Sequence, residues 1–491
     1  MFLALRAEFL LPMTESRLRI RDGYVLAQGD RLLEVGPWTP EVAARLGRLG
    51  DRLVVPGTPD RRPLPGPGLL PMRKAVLMPG FVKAHGHDDE QLLIGVARDE
   101  PLADWLDHAV NPLARYLRDM QERLTEDLGC TPWRAAYRMA RLCDVHYGIT
   151  SSLIHHCHAN KVRWEDLALA NEEAGTSMII AIGSQDRHYA AEILDRPEDA
   201  LSRLDRAWAR RDAWGATTVC PGPDQAFSNS RALLVPQKAW ARAHGTLFHL
   251  HASEEPRTTA WFQAEVEPGH TPVEYLESIG VLDPRTLLAH QVHCGPRDLE
   301  ILARHGVGIV HNPLANTILG SGMPPVVEML AAGIRVALST DGSGSADHQN
   351  MLAAARLASR YQKARLQDAS VLPAGEVLEM ITRIPAEILG MDTGVLAPGM
   401  RADFLLVDLT APNLVPTRID NLVENLVWAS DGNEIDTVVA RGRLLKEGGR
   451  VLPLRDGTRP EAIVAAAEHL SEGFATWRAT APEVRGTGAH R

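Results

Sequence analysis

The chain has 491 residues, of which 45% are hydrophobic and 23% are charged. This balance is typical of a globular protein with a large core and excludes disordered, collagen-like and coiled-coil chains. The 52 basic and 62 acidic side chains give a net charge of −10. Such a balance argues against a nucleic-acid-binding protein, because these proteins need a basic face to neutralise phosphates.

The sequence also lacks the signals of secretion and of membrane insertion. Arg6 and Glu8 interrupt the short apolar opening, and no long apolar run follows, so we expect neither a signal peptide nor a membrane span. Five cysteines are widely spaced without a CxxC pair, a pattern typical of reduced thiols. The sequence therefore predicts a cytoplasmic protein.

Both ends of the chain show short alternating runs that are typical of β-strands. Residues 1–50 follow a hairpin pattern, and 395–452 repeat the same β character in VLAPGMRADFLLVDL and DTVVARGRLLKEG. Residues 56–72 contain too many prolines for a central strand or a helix and are predicted to form a loop. We expect the two ends to meet in one small β-sandwich domain.

The middle of the chain alternates apolar runs with longer amphipathic segments. The eight apolar runs are AVLMPGFVKAH, ITSSLIHH, SMIIAIGS, ATTVCPG, TLFHLHA, TLLAHQVH, VGIVHNP and RVALSTDG. Each is almost continuously apolar, as expected of a strand buried on both faces. Eight such strands separated by helices predict an α/β fold, a (β/α)8 TIM-like barrel, with its active site at the carboxyl ends of the strands. A doubly wound open sheet is the alternative, but it does not explain polar residues at the ends of several separate strands.

These patterns divide the chain into three parts. We expect 1–74 and 391–455 to form the small β-sandwich domain and 75–390 to form a metal-dependent barrel. A C-terminal helix and tail would occupy 456–491.

The first predicted strand ends in the sequence HGH at 85–87. Residues i and i+2 of a strand face the same side, so both imidazoles point into one pocket. Alone this pair is a weak signal, because most histidines are solvated or bonded within the core. His251, His290 and Asp341 follow at the ends of later strands. One further histidine and the aspartate would complete an N/O ligand set suited to Zn²⁺ or Fe²⁺, with a position left open for water.

Several further segments, in a fixed order, carry a resemblance to a known family. They are PGFVKAHGH, LLIGVARDEPLADWL, HASE, LLAHQVH, VHNPLANTILGSGMPPV, STDG and VLAPGMRADFLLVDL. Over nearly its whole length the chain resembles the amidohydrolase superfamily, in its mononuclear aminohydrolase branch. That branch includes guanine, cytosine and S-adenosylhomocysteine deaminases and the triazine hydrolases.

The resemblance implies a set of site residues. It implies that one divalent metal per chain, Zn²⁺ in preference to Fe²⁺, is bound by four side chains: His85, His87, His251 and Asp341. It also implies three catalytic residues. Glu254 would shuttle protons, His290 would orient the attacking water and polarise the substrate, and Asp341 would accept a proton bound for the leaving group.

The resemblance further implies a small-molecule substrate and a homodimer or larger homo-oligomer. Trp105, His155 and Asn316 are candidate substrate contacts. Two positions depart from the family pattern: Lys83 stands where Asp or Asn is common, and Ala315 replaces the serine of the NPxSN loop. Both leave the metal ligands intact and put the identity of the substrate in doubt.

Four polar residues near the expected site have two interpretations each. His249 is either a fifth metal neighbour or a residue that packs behind the ligands. Asp88, Asp89 and Glu90 either make the pocket mouth acidic, which would favour a cationic or amine-bearing substrate, or are solvated loop charges.

Three functions compete. The first is a hydrolytic deaminase of an aminated nitrogen heterocycle of purine, pyrimidine, pterin or triazine type, in which a metal-bound hydroxide attacks an sp² ring carbon and ammonia or an amine leaves. The second is a cyclic-amide or dehalogenating hydrolase at the same site. The binuclear cyclic-amide branch needs a lysine at the end of the fourth strand, whereas ATTVCPGPD has none and Lys238 follows in a helical segment. The third is a non-catalytic scaffold, which would have lost its ligands.

Overall fold

The structure, a computed structural model, describes residues 1–15, 18–97 and 99–480. Strands from both ends of the chain form one nine-stranded sheet in the order β17-β16-β15-β14-β5-β1-β2-β3, with β4 beside β1. These strands are β1 Phe2–Leu10, β2 Ile20–Gln28, β3 Arg31–Pro37, β4 Leu53–Val54, β5 Arg73–Pro79, β14 Phe404–Asp408, β15 Ile435–Ala440, β16 Arg443–Glu447 and β17 Arg450–Val451. Strands from both ends of the chain thus share one sheet.

Eight further strands form two four-stranded parallel sheets. They are β6 Phe81–Lys83, β7 Ile149–His156, β8 Ser177–Ser184 and β9 Thr217–Pro223, then β10 Phe248–Ala252, β11 Thr286–His290, β12 Gly308–His311 and β13 Val336–Leu338. Strand order within each sheet follows chain order. Nearly every residue of these strands is buried, which explains their continuous apolar runs. The predicted α/β character with parallel strands is confirmed.

Hydrogen bonds join the two parallel sheets at both edges. Between β9 and β10, the His251 N–H donates to the Asp224 carbonyl at 3.0 Å. Between β13 and β6, the Ser339 hydroxyl donates to the His85 carbonyl at 2.5 Å and accepts from the His85 N–H at 3.3 Å. The carboxyl ends of β9 and β10 are therefore adjacent, as are those of β13 and β6.

The chain passes from the nine-stranded sheet to the first parallel sheet at Gly80. The Gly80 N–H donates to the Asp403 carbonyl, whereas the next N–H donates to the Gly148 carbonyl. A Cβ on Gly80 would lie 2.1 Å from the Thr150 hydroxyl oxygen, so only glycine fits at this crossing. The prediction of a single strand over AVLMPGFVKAH is therefore wrong, because the run contains β5 and β6.

Nineteen α-helices connect and cover the sheets in the described residues. They are α1 Pro40–Gly47, α2 Leu102–Trp105, α3 Asn111–Asp119, α4 Gln121–Leu128, α5 Pro132–His146, α6 Trp164–Ala174, α7 Pro197–Arg210, α8 Arg231–His244, α9 Pro256–Trp261, α10 Pro272–Ser278, α11 Pro296–His305, α12 Pro313–Ile318, α13 Val326–Ala331, α14 Ser343–Ala346, α15 Met351–Leu366, α16 Ala374–Glu379, α17 Arg383–Leu389, α18 Leu422–Trp428 and α19 Pro460–Thr480. Among the helices so described, none is long and apolar enough to cross a membrane.

Two peripheral segments lie outside the parallel sheets. α19 lies where a C-terminal helix is expected, and its Phe474 ring packs 5.8 Å from that of Tyr116; residues 481–491 of the predicted tail lie outside the described part. The proline-rich segment contains two short 3-10 turns and no strand. Its Gly57 N–H donates to Glu447 of β16 at 2.7 Å, which ties this loop to the nine-stranded sheet.

A buried group of four charges holds β6 against α5. Lys83 Nζ lies 2.9 Å from Asp144 and 3.7 Å from Asp88, and Arg141 contacts the same two carboxylates at 2.8 and 2.6 Å. All four side chains are at most 2% exposed. Lys83 also donates to Gln349 at 3.0 Å. Two cations and two anions balance within the core, so Lys83 supports the strand that leads to His85.

We expect Lys83→Met to destabilise the protein by about 3–5 kcal/mol, because it leaves carboxylates buried with one cation too few. The free energy of unfolding in denaturant measures this. The control Arg297→Ala removes an exposed ion pair with Glu300 and should cost less than about 1 kcal/mol. Equal losses in the two variants would contradict a structural role of Lys83.

Candidate metal and active site

The structure brings the five predicted site residues of the HGH motif and the later strands into one cluster. His85 and His87 follow β6, His251 lies in β10, His290 ends β11, and Asp341 follows β13. His85 Nε2 lies 3.2 Å from Asp341 Oδ1, and His87 Nε2 lies 3.5 Å from the same oxygen. His87 Nε2 and His251 Nε2 are 3.2 Å apart. His290 Nε2 lies 3.6 Å from Asp341 Oδ2.

Backbone carbonyls determine which nitrogen of each ring carries the proton. His87 Nδ1 lies 2.9 Å from the His155 carbonyl, and His251 Nδ1 lies 2.7 Å from the Asp224 carbonyl. A carbonyl only accepts, so both Nδ1 atoms are donors. In the neutral rings both Nε2 atoms then carry lone pairs, and these face each other at 3.2 Å without a proton between them.

His249 imposes the same tautomer on His85. His249 Nδ1 donates to the Leu287 carbonyl at 3.0 Å, so its Nε2 accepts, and it accepts from His85 Nδ1 at 2.8 Å. The remaining His85 Nε2 is buried without a hydrogen-bond partner and faces Asp341. Of the two interpretations of His249, the structure supports a residue that lies behind the ligands and orients one of them.

Burial keeps the rings of His85, His87 and His249 uncharged. It lowers the pKa of His87 to about 3 and that of His249 to about 3, and it lowers the pKa of His85 well below its usual value. Neutral imidazole nitrogens and a carboxylate oxygen that converge without protons repel one another unless a cation lies among them. The donor set therefore fits a divalent metal of the Zn²⁺ or Fe²⁺ type.

Glu254 lies beside this cluster. Its Oε1 is 3.6 Å from His290 Nε2, and its Oε2 accepts from Gln225 Nε2 at 3.0 Å. Burial raises the pKa of Glu254 to about 7, so near neutral pH this carboxyl can both take up and release a proton. Gln225 was missed by the sequence analysis, although its place directly after β9 is a signal that could have identified it.

The backbone is strained at the two predicted catalytic residues that end strands. His290 has φ of 72° and Asp341 has φ of 70°, in the left-handed region that side-chain-bearing residues rarely adopt. Ser253, next to Glu254, has φ of 52°. Such strain concentrates at functional sites because the surrounding structure must hold each residue in place.

A cavity of about 40 Å³ adjoins the cluster, and Trp105 forms part of its wall. Asp89 and Glu90 also line it, and burial raises the pKa of Asp89 to about 6 and that of Glu90 well above its usual value. Asp88, in contrast, lies 2.6 Å from Arg141 within the core. None of the three is a solvated loop charge, so that interpretation is wrong.

The other two predicted substrate contacts, His155 and Asn316, form hydrogen bonds with protein groups. His155 is fully buried, and its Nε2 lies 2.9 Å from the Gly222 carbonyl. Asn316 is fully buried too, and its Oδ1 accepts from His290 Nδ1 at 2.8 Å. Lys238, the nearest lysine after the fourth parallel strand, bonds to Asp283 and Thr286.

Comparison with known proteins identifies the family. The sequence profile of the amidohydrolase family matches residues 76–445, which is most of the chain. The chain belongs to the amidohydrolase family. The predicted resemblance, and with it a hydrolase of carbon–nitrogen bonds, is confirmed.

Relatives of this amidohydrolase include deaminases. A 5-methylthioadenosine/S-adenosylhomocysteine deaminase of Pelotomaculum thermopropionicum is 32% identical over 91% of this chain and 93% of its own. A solved adenosine deaminase of Xanthomonas campestris with bound zinc superposes with a TM-score of 0.77 at 21% identity, over 96% of this chain and 98% of that one. A mutant atrazine chlorohydrolase of Arthrobacter aurescens, solved with zinc and atraton, superposes with a TM-score of 0.81 at 22% identity, over 96% of this chain and 100% of that one. The two structures share the fold of this amidohydrolase.

Proposed function

We propose that the protein is a metal-dependent hydrolytic deaminase that replaces the amino group of an adenosine-type heterocycle by oxygen and releases ammonia. The observation that carries this proposal is the convergence of unprotonated imidazole nitrogens and Asp341 beside a buried Glu254 whose pKa is about 7. The deaminase relative, similar over nearly the whole chain, supports the choice of substrate class.

A proposal about the fold accompanies the proposed function. We propose that the two parallel sheets, hydrogen-bonded at both edges, close into one (β/α)8 barrel over 75–390. We propose that 1–74 and 391–455 form a β-sandwich around the buried side chains of Leu5, Leu77 and Phe404. A closed barrel supports this chemistry because all its strand ends point at one mouth.

His85, His87, His251 and Asp341 would hold one metal ion, with zinc as our choice. A divalent ion in this donor set lowers the pKa of a bound water toward neutrality and so makes water a nucleophile at neutral pH. His249 keeps the proton of His85 on Nδ1 and thus leaves Nε2 as a donor atom for the ion.

Glu254 carries the proton transfers in this proposal. Its carboxylate takes one proton from the attacking water as the water oxygen bonds to the sp² ring carbon. The protonated Glu254 then passes that proton to a ring nitrogen. Asp341 accepts the second proton of the water and delivers it to the amino group, so that the carbon–nitrogen bond breaks and ammonia leaves.

His290 orients the water. Its Nδ1 proton is committed to Asn316, so Nε2 presents a lone pair that accepts a hydrogen bond from water. Polarisation of the substrate would need the proton on Nε2, and we therefore assign His290 to orientation alone. Asn316 acts through His290 and is a positioning residue in this scheme.

The described cavity is small for a nucleoside. Leu102, Trp105 and Leu106 form the wall that faces outward from the cluster, and we propose that the segment containing them moves aside as the ring enters. Asp89 then lies within the pocket as a hydrogen-bonding group. We also propose a homo-oligomer in the cytoplasm, which agrees with the five free cysteines.

One metal ion per chain is expected in elemental analysis, and His85→Ala or Asp341→Ala should remove both metal and activity.

His249→Phe should weaken metal binding about 10–100-fold, because His85 loses the acceptor for its Nδ1 proton. Competition with a chelator measures the affinity. His156→Phe, which removes only a bond to Tyr137, is the control and should retain the metal. Two tightly bound ions, or none in active protein, would refute the site.

Glu254→Gln should lower kcat by about 10²–10⁴-fold with the metal retained, because the amide keeps the shape and cannot carry the proton. Glu255→Gln is the matched control, since the neighbouring carboxylate accepts from the Thr258 N–H at the start of α9. Steady-state kinetics and metal analysis of both variants decide. Nearly unchanged turnover in Glu254→Gln would mean that another group carries the proton.

Product mass separates deamination from its alternatives. Replacement of NH₂ by OH raises the substrate mass by about one unit, whereas opening of a cyclic amide adds about eighteen, the mass of the attacking water. We expect the first change, with one ammonia per turnover, for an adenosine derivative within a panel of purines, pyrimidines, pterins and triazines. A gain of a whole water, or loss of halide on a chlorinated triazine as the preferred reaction, would favour the alternative hydrolase.

A further inference from the structure

A second and larger cavity lies at the opposite, amino-terminal ends of the parallel strands. We call it the amino-end cavity. Its volume is about 400 Å³, against about 40 Å³ beside the metal cluster. The starts of β8 and β9 form one wall, with Ser177 and Thr218, and Gly390 after α17 forms another. Arg31 of β3 and three residues next to strands of the nine-stranded sheet, Asp30, Arg401 and Arg441, also line it.

The amino-end cavity is basic in a protein whose net charge is −10. Three arginines and one carboxylate line it, and the carboxylates of Asp392, Asp403 and Glu172, outside the lining, also act on these arginines. Arg31 is partly neutralised by Asp392 at 2.9 Å, and Arg401 donates to the Ser177 hydroxyl. The Arg441 guanidinium makes no hydrogen bond or ion pair with any described residue.

The electrostatic surroundings of Arg441 disfavour its charge. Partial burial lowers the pKa of Arg441, and the nearby guanidinium groups of Arg401 and Arg455 lower it further. The carboxylates of Glu172 and Asp30 act in the opposite sense, and Glu172 also accepts from the Ala216 N–H at 2.8 Å. Cations held together without a partner are stabilised when an anion enters between them.

The backbone holds Arg441 in an unusual conformation. Arg441 and Gly442 are the two residues of the β15–β16 hairpin turn, with φ of 52° and 68°. Turns with two positive φ values favour Asn-Gly, and an arginine at the first position is strained. A Cβ on Gly442 would lie 1.7 Å from the Gly29 carbonyl oxygen, so only glycine fits at the second position of this turn.

We propose that the amino-end cavity binds a phosphate monoester of a small organic molecule. A phosphate ester carries about −1.5 to −2 charges at pH 7 and would be bound by the arginines that line the cavity. Guanidinium groups bind phosphate oxygens in pairs. The volume falls in the range of small-molecule sites, about 300–1,000 Å³, and leaves room for an organic group beyond the phosphate. This site is independent of the deaminase proposal.

The test titrates the metal-loaded, full-length protein with ribose 5-phosphate in a calorimeter at constant ionic strength. We expect one molecule bound per chain, no binding of ribose, and weaker binding of inorganic phosphate. Absence of saturable binding at millimolar ribose 5-phosphate would overturn the proposal. Inorganic phosphate bound as tightly as the ester would overturn the assignment to an ester.

Two variants locate the binding. Thr218 is exposed in the wall of the cavity, so Thr218→Glu adds a negative charge there without burying it, and Thr218→Gln has the same shape without the charge. We expect Thr218→Glu to weaken ribose 5-phosphate binding about tenfold or more and Thr218→Gln to have little effect. Arg441→Gln should also weaken it about tenfold or more, because one charge-assisted contact is lost.

The controls separate this site from general charge effects and from the deaminase reaction. Arg297→Gln changes an exposed arginine on α11, a helix that contributes no residue to the cavity, and should leave the affinity unchanged. Without ribose 5-phosphate, deaminase turnover should be the same in all four variants. An affinity that falls equally in Arg297→Gln and Arg441→Gln, or that is insensitive to Thr218→Glu, would place the binding elsewhere and refute the proposal.

Discussion

The metal site depends on the repulsion between lone pairs that the protein itself places close together. Backbone carbonyls take the Nδ1 protons of His87 and His251, and His249 takes that of His85. Three unprotonated nitrogens and the Asp341 carboxylate then face a common centre. Burial prevents His85 and His87 from relieving the repulsion by protonation, since it lowers the pKa of both rings. A cation among these groups would remove the repulsion. The order of the strands brings the groups to one place.

Burial acts in opposite senses on the two kinds of ionisable group around this centre. It keeps imidazoles neutral and so available as donor atoms, and it raises the pKa of Glu254 to about 7, where a carboxyl can exchange protons with water. Gln225 occupies one oxygen of Glu254, which leaves the other toward His290. One property of the environment thus prepares both the metal ligands and the proton carrier.

Charged side chains away from the metal cluster neutralise one another instead. Lys83 and Asp88, which from the sequence concern the substrate pocket, neutralise Asp144 and Arg141 inside the core. Of the arginines at the other end of the parallel strands, Arg31 pairs with Asp392, whereas the Arg441 guanidinium has no such partner among the described residues. Charges that are paired within the core stabilise the fold, whereas an unpaired guanidinium can bind an anionic ligand. The two cases can be told apart only from the tertiary contacts of each charged side chain.

The sequence by itself determined the family, the eight buried strands and the residues that converge at their ends, because near-continuous apolar runs and an HGH motif are local patterns. It also predicted that Glu254 lies beside the cluster. Only the tertiary structure decided that His249 orients His85, that Asn316 bonds to His290, that Gln225 holds Glu254, and that AVLMPGFVKAH is broken at Gly80. These facts depend on hydrogen bonds and close contacts between segments far apart in the chain, and no local pattern encodes which distant group a buried side chain meets.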